Sequence, residues 1–210
     1  MPLKEHDFVE LDYTGFLKEN NDVFDTTDAK TAKEHHLQGA TGKLTICLGK
    51  GHLLRGLEQK LIGKELGKHR IELTQEEAFG RKNAKLIHLI PTQNFIKSGV
   101  QPQPGLPVEV DGMMGTIRTV TGGRTIVDFN HPLSGRDVTY DVTLHRVVTD
   151  AKDKVAAMVK ALIGQEGQVS MTDDDAAVKL KDELPKQVAD ELSKEIVSAT
   201  GVKQVTFSKA

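Results

Sequence analysis

Cysteine occurs once in the 210 residues, at Cys47, and tryptophan does not occur at all. A lone cysteine excludes an intrachain disulfide, so packing must hold the fold together, and a reducing compartment is the matching expectation. Cys47 has no adjacent base in the sequence and alternates within a strand pattern, so it reads as structural. No apolar run approaches the ~20 residues needed to cross a bilayer. The stretch from Met1 to Asp12 shows neither the apolar core nor the cleavage site of a secretory leader. A soluble, cytoplasmic chain without a membrane partner is expected. Charge of one sign is also missing: 28 Lys and Arg stand against 30 Asp and Glu, a net −2. Such a balance gives no general attraction to nucleic acid.

Several chemistries are excluded by the spacing of residues. His35 and His36 adjoin with no completing ligands, so no metal set forms. Asp173, Asp174 and Asp175 lack the spaced oxygens and the glycine of a calcium loop. The stretch from Leu37 to Thr45 is a faint phosphate-loop match at best, because Leu37 occupies the first glycine position and Leu44 the Ser/Thr position. No Ser/His/Asp arrangement is visible, and no cofactor or metal is expected.

What is present is period-two alternation. Val9, Leu11 and Tyr13 alternate with Glu10, Asp12 and Thr14, a half-buried strand. Val23 to Asp25 follows Asn20 and Asn21, which supply a turn. Leu44, Ile46 and Leu48 form another strand, Ile71 and Leu73 suggest a third, and Val138 to Leu144 alternates cleanly. Between Leu53 and Ile62 the period becomes helical, with Leu53, Leu57 and Leu61 on one side and Arg55, Glu58, Gln59 and Lys60 opposite. Gly63 suits the C-terminal cap, and Gly56 inside the helix implies a close packing contact. One short helix among alternating strands predicts an α+β fold, an antiparallel sheet wrapped on that helix.

From about residue 85 to 127 the chain becomes proline-rich and then reads as a small β meander turning at Asp111-Gly112 and Gly122-Gly123. Its apolar residues Ile87, Leu89, Ile90, Phe95, Met113 and Met114 exceed what so small a unit buries, and the remainder makes an adaptable, Met-containing surface. After Thr149 a third region begins. Val155, Met158, Val159 and Leu162 line a helix ending at Gly164, and two short strands follow. Pro185 opens a second helix lined by Val188, Leu192 and Ile196 and closed by Gly201, and Val205 with Phe207 suggests a last strand. Some sixty residues of this kind need a surface to pack on. Homodimerisation through residues 150–210 is expected, with a chain ending at 150 remaining an active monomer, and packing of this region on the rest of its own chain is the alternative.

The run from Val9 to Gly15, then Val23-Phe24-Asp25, then Leu48 to Glu58, Glu76 to Gly80, and Asp128 to Asp141 resembles the FKBP-type peptidyl-prolyl cis-trans isomerases, specifically the SlyD-like branch and the long archaeal members. The resemblance covers about residues 8–148. It implies an isomerase domain made of 1–84 and 128–149, an inserted flap with chaperone activity at 85–127, and a C-terminal α+β domain at 150–210. It implies an active pocket of Tyr13, Asp25, Leu54 and Tyr140, with Phe24, Leu44, Leu53, Leu57, Phe79, His131 and Leu133 binding substrate. The family often has tryptophan where Leu57 stands and tyrosine where Phe79 stands; these departures bear on macrolide binding rather than on isomerase activity. The implied partners are proline-containing unfolded or partly folded polypeptides, held by the apolar residues of the insert.

Residue by residue, blander readings stand beside this one. Leu53, Leu57 and Leu61 are core residues in any such helix, Tyr13 and Tyr140 can simply bury their rings, and Asp25 alone fits a cap of the following turn. A holdase with a vestigial isomerase site is the alternative function.

Overall fold

The computed structural model describes residues 1–39 and 42–209, so the glycine-rich stretch set aside as a phosphate loop lies partly outside the described residues. It separates into two compact units, Met1–Ala78 with Asp137–Ala210, and Phe79–Arg136.

In the larger unit, β1 (Phe8–Leu17) is the hub. It pairs antiparallel with β2 (Val23–Thr26), β3 (Leu44–Cys47) and β9 (Val138–Val147), and β9 pairs in turn with β4 (Gly67–Leu73). Alternation along β1 serves both faces. Val9 and Leu11 are fully buried on one side, and Leu57 and Leu61 of helix α2 (Arg55–Leu61) are also buried, all at or below 1% exposed. Phe8 buries on the other side, opposite Cys47. Helix α1 (Ala29–Glu34) was not legible in the periodicity, because six residues carry too little pattern; Asp28 starts it by accepting from the Thr31 N–H at 2.7 Å. No helix among the described residues is long and apolar enough to cross a membrane.

The C-terminal segment runs α4 (Ala151–Ile163), β10 (Gln168–Thr172), β11 (Asp175–Leu180), α5 (Lys186–Thr200) and β12 (Gln204–Lys209). Gly164 and Gly201 close the two helices in the left-handed conformation that glycine adopts freely. The three strands stand in the order β10-β11-β12, the second pair parallel. Val155, Met158, Val178, Ile196 and Val205 form a core that also includes Phe8, Cys47 and Val148. Within this segment Ile196 is fully buried, Leu192 and Phe207 are half-buried, and Val188 is exposed.

The smaller unit contains β5 (Ile87–Pro91), α3 (Thr92–Lys97), β6 (Pro107–Val110), β7 (Met113–Thr121) and β8 (Arg124–Asp128), with strand order β5-β8-β7-β6. Both hairpin turns have two successive positive-φ residues, Asp111-Gly112 and Gly122-Gly123, as tight two-residue turns require. Phe95, expected on the client-binding surface, is 6% exposed and packs with Val108, Ile117 and Val127 in the small core beneath that surface. Asp128, 3% exposed, accepts from Arg118 Nε and Nη2 at 3.1 and 3.0 Å, from Asn130 N and Nδ2 at 3.0 and 2.8 Å, and from Lys82 at 3.4 Å. Burial pushes its pKa up, but the donors from Asn130, Arg118 and Lys82 outweigh burial and hold it at about 2.

The shared core bears on the expectation that a chain ending at 150 remains an active monomer. Removing residues after Thr149 uncovers Phe8, Cys47 and Val148, each at or below 1% exposed in the full chain. Since burying each large apolar side chain is worth roughly 1.5–3 kcal/mol, the truncated chain should unfold at clearly lower urea than the full chain, followed by circular dichroism. An unchanged midpoint would show that the larger unit does not depend on this contact.

Candidate active site

Tyr13 lies in β1, Phe24 and Asp25 in β2, and Tyr140 in β9. Gly15 is opposite Asp25 on one side and Tyr140 on the other, so cross-strand pairing puts these residues on the face that carries Tyr13. The β1–β2 register shifts beside Gly15, with one extra residue on β2. This bulge lets two consecutive residues serve one face, Phe24 through its ring and Asp25 through its carboxylate. A Cβ at position 15 would meet Phe24 Cζ at 2.8 Å and Tyr140 Cε1 at 2.9 Å, so glycine is what allows the rings to close over the strand. Tyr140 receives both neighbours edge-on: Tyr13 at 5.6 Å and 67°, Phe24 at 5.7 Å and 88°. Gly15 was visible in the sequence as part of a motif, but its steric role needs the register.

The Tyr13 hydroxyl donates to Asp25 Oδ2 at 2.9 Å. Burial first, then the Asp25 charge and this hydrogen bond, raise the Tyr13 pKa far above its ordinary value; burial, then Asp25 and Tyr13, do the same for Tyr140. Both phenols therefore stay protonated, and Tyr13 is a fixed donor. The Tyr13 backbone is clamped as well, its N–H donating to Thr27 Oγ1 and its carbonyl accepting from the Thr27 N–H, both at 3.0 Å. The capping role that Asp25 could have filled belongs to Asp28, leaving Asp25 turned to Tyr13.

Leu53 and Leu54 precede α2 rather than lying in it, and both are half-buried, while Leu57 is 1% exposed. No described residue accepts from the Leu54 N–H, as is usual for a donor at a helix start. Glu58, assigned by periodicity to the polar side of the helix, is 3% exposed. Its Oε2 accepts from the N–H groups of Gly49 and Gly51 at 2.9 and 3.1 Å, and its Oε1 from that of Leu53 at 2.8 Å. These are charge-assisted bonds to three backbone donors, strong enough to fix the loop that delivers Leu53 and Leu54. Three converging backbone donors leave no trace in side-chain periodicity, which is why the sequence reading missed Glu58. The close contact expected at Gly56 is present: a Cβ there would come 2.3 Å from the Glu77 carbonyl oxygen.

Two family models match the chain, FKBP-type peptidyl-prolyl cis-trans isomerase over residues 2–97 and FKBP26, IF domain over residues 88–133. The chain is 28% identical to the short-type peptidyl-prolyl cis-trans isomerase of Methanocaldococcus jannaschii, across 69% of this chain and 94% of that one. It is 39% identical to the FKBP-type 16 kDa peptidyl-prolyl cis-trans isomerase of Escherichia coli K12, across 45% of this chain and 67% of that one. It is 32% identical to the FKBP-type isomerase SlyD of Vibrio cholerae, across 51% of this chain and 56% of that one. The chain belongs to the FKBP-type peptidyl-prolyl cis-trans isomerases.

The remaining pocket residues expected of an FKBP-type enzyme fall into two places. Leu44 is half-buried opposite Leu11, on the same face of β1 as Tyr13. Phe79, His131 and Leu133 are in the smaller unit and form a cluster of their own. Phe79 stacks on His131 at 4.7 Å and 4°, Ser134 Oγ donates to the Phe79 carbonyl at 3.1 Å, and the Leu133 N–H donates to His131 Nδ1 at 3.2 Å. Cys47 is buried, and burial pushes its thiol up to about 11, which suits an inert structural role. No metal-binding cluster occurs among the described residues.

Replacing Glu58 by Gln keeps its size but turns an N–H₂ toward a backbone donor. Glu58→Gln should stay folded and lower kcat/KM on a proline tetrapeptide several-fold, the loss of one charge-assisted hydrogen bond being worth about 1.5–3 kcal/mol shared between stability and positioning. An FKBP-type enzyme with unchanged kinetics and unchanged amide shifts at Gly49, Gly51 and Leu53 would contradict this role.

Proposed function

We propose that this isomerase acts on Xaa-Pro bonds in unfolded and partly folded polypeptides, and that its smaller unit holds those clients. The observation that carries the second half is a cleft of about 1160 Å³ in the smaller unit, lined among others by Ile87, Leu89, Phe95, Val108, Met113 and Phe129. It is larger than the ~300–1,000 Å³ usual for small-molecule sites, which suits a length of chain. Leu89, Ile87 and Met113 are 56%, 42% and 42% exposed, and Met114 beside them is 65% exposed. Flexible thioethers and aliphatic side chains adapt to varied apolar partners. Covalent linkage of the two units through two chain crossings raises the effective concentration of a held proline at the isomerase site. The one thiol, buried and protonated, suits a reducing cytoplasm.

In this reading the chemistry is rotation without bond making. The planar Xaa-Pro amide resists rotation by ~18–20 kcal/mol, and uncatalysed exchange takes tens to hundreds of seconds. Twisting ends the resonance and makes the amide less polar, so an apolar, water-poor site favours the transition state over either planar form. Phe24, Tyr140, Leu53 and Leu57 supply apolar walls. The free Leu54 N–H holds a substrate carbonyl, and the Tyr13–Asp25 pair forms the polar edge.

The division of labour is tested by Leu89→Glu combined with Met114→Glu, both at exposed positions. Tetrapeptide isomerisation should stay within a few-fold of the parent. Suppression of aggregation of a denatured protein should be lost, and catalysis of its proline-limited refolding should fall on the order of a hundredfold, the scale of lost avidity. Unchanged chaperone and refolding activities would end the client-holding half of the reading. Equal losses on both substrates would assign the smaller unit to the catalytic wall.

A further inference from the structure

A second groove lies in the larger unit. It measures about 550 Å³ and runs between the outer side of β3 and helix α4. Strand β3 pairs only with β1 among the described residues, so its other edge is open. Backbone groups alternate sides along a strand. The Leu48 N–H donates toward β1, to the Asp7 carbonyl at 3.0 Å, whereas the Cys47 N–H turns away and donates to His52 Nδ1 at 3.1 Å. Thr45, and Lys43 beyond it, are in phase with Cys47, so their N–H and C=O groups face the groove, where no described residue pairs with them. Unpaired strand edges are templates for an added strand.

The rest of the groove suits an extended chain. Its far wall is made of small residues, Ala156, Ala157 and Ala161 of α4, followed by Gly164, which leave room for side chains. His52 also lines it, and its Nε2 is buried without a partner. Because Nδ1 accepts the Cys47 N–H, and burial keeps the ring neutral, Nε2 carries the proton and has no acceptor among the described residues. The rim charges are already tied in pairs: Lys43 and Arg146 to Glu10, Arg146 also to Asp153, and Lys160 to Glu166. Recognition there is through backbone groups rather than through charge. Leu44 joins the groove to the isomerase site, since it lines the groove and shares the face of β1 that carries Tyr13.

We propose that this groove receives the extended flank of the substrate polypeptide, running over Leu44 from the isomerised proline and pairing with the edge of β3 at Thr45 and Lys43. The proposal rests on the isomerase reading and adds a binding subsite that a tetrapeptide is too short to reach. Backbone pairing tolerates many sequences, which fits unfolded clients.

The test compares a proline tetrapeptide with a 12-residue peptide that places the same Xaa-Pro core between Ala, Thr and Leu flanks. The long peptide should have a KM about tenfold lower, the scale of one or two net hydrogen bonds. Its titration should shift the ¹⁵N–¹H signals of Thr45 and Lys43, and the tetrapeptide should leave them in place. Ala161→Trp, at an exposed position in the small-residue wall, should abolish the long peptide's advantage while tetrapeptide turnover, the control, holds. Equal KM values with unmoved Thr45, or an advantage that survives Ala161→Trp, would overturn the proposal. Shifts at Thr45 that follow protein concentration without peptide would overturn it in favour of a second copy of the chain. Absence of turnover on both peptides by the parent protein would instead remove the isomerase reading on which it rests.

Discussion

Strand β1 is buried from both sides, and that constraint sets nearly everything else in the larger unit. Val9 and Leu11 are fully buried on one face, Phe8 joins the C-terminal core on the other, and three strands hydrogen-bond to this one segment. A strand so enclosed cannot slip by one residue without turning apolar residues to water and polar ones inward. The same slip would turn Tyr13 away and bring Asp12 to the face of the site. Packing of the hub thus fixes the geometry of the candidate active site, and the bulge on β2 supplies the one local irregularity that two adjacent functional residues need.

Buried carboxylates do the positioning. Glu58 gathers three backbone donors ahead of α2, and Asp128 gathers Arg118, Asn130 and Lys82 in the smaller unit. A buried charge is costly unless its lone pairs are used, and both of these are well used. Asp25 differs in accepting from a phenol whose proton is held firmly in place. Against this background of satisfied groups, the orphaned His52 Nε2 stands out, and it borders a strand edge that is unpaired for the same short stretch.

Local pattern made the strands, the insert hairpins and the two C-terminal helices legible. Alternation, paired turn residues at Asp111-Gly112 and Gly122-Gly123, and the closing glycines Gly164 and Gly201 are all short-range signals. Motif order across the chain also pointed to Tyr13, Phe24, Asp25 and Tyr140, which the structure gathers on one face. What stayed hidden depends on contacts distant in sequence. The core joining Phe8, Cys47 and Val148 to α4 has no periodic signature, so the pattern of residues 150–210 did not say what they pack on. Glu58 looked solvated because its partners are backbone groups. The cap Asp28 went unread because the helix it starts is too short to show a period. The small core that takes up most of Phe95 is assembled from separated strands and had no local signature.

The central claim is that the Tyr13–Asp25 edge of this apolar site acts on the twisted Xaa-Pro amide. The most direct measurement is kcat/KM for isomerisation of a proline tetrapeptide by the full chain and by Asp25→Ala, with circular dichroism confirming that both are folded. The account predicts efficient catalysis by the full chain and a loss of about tenfold or more in the variant, equivalent to about 1.4 kcal/mol of transition-state stabilisation. An Asp25→Ala protein that is folded and keeps the parent's kcat/KM would contradict it.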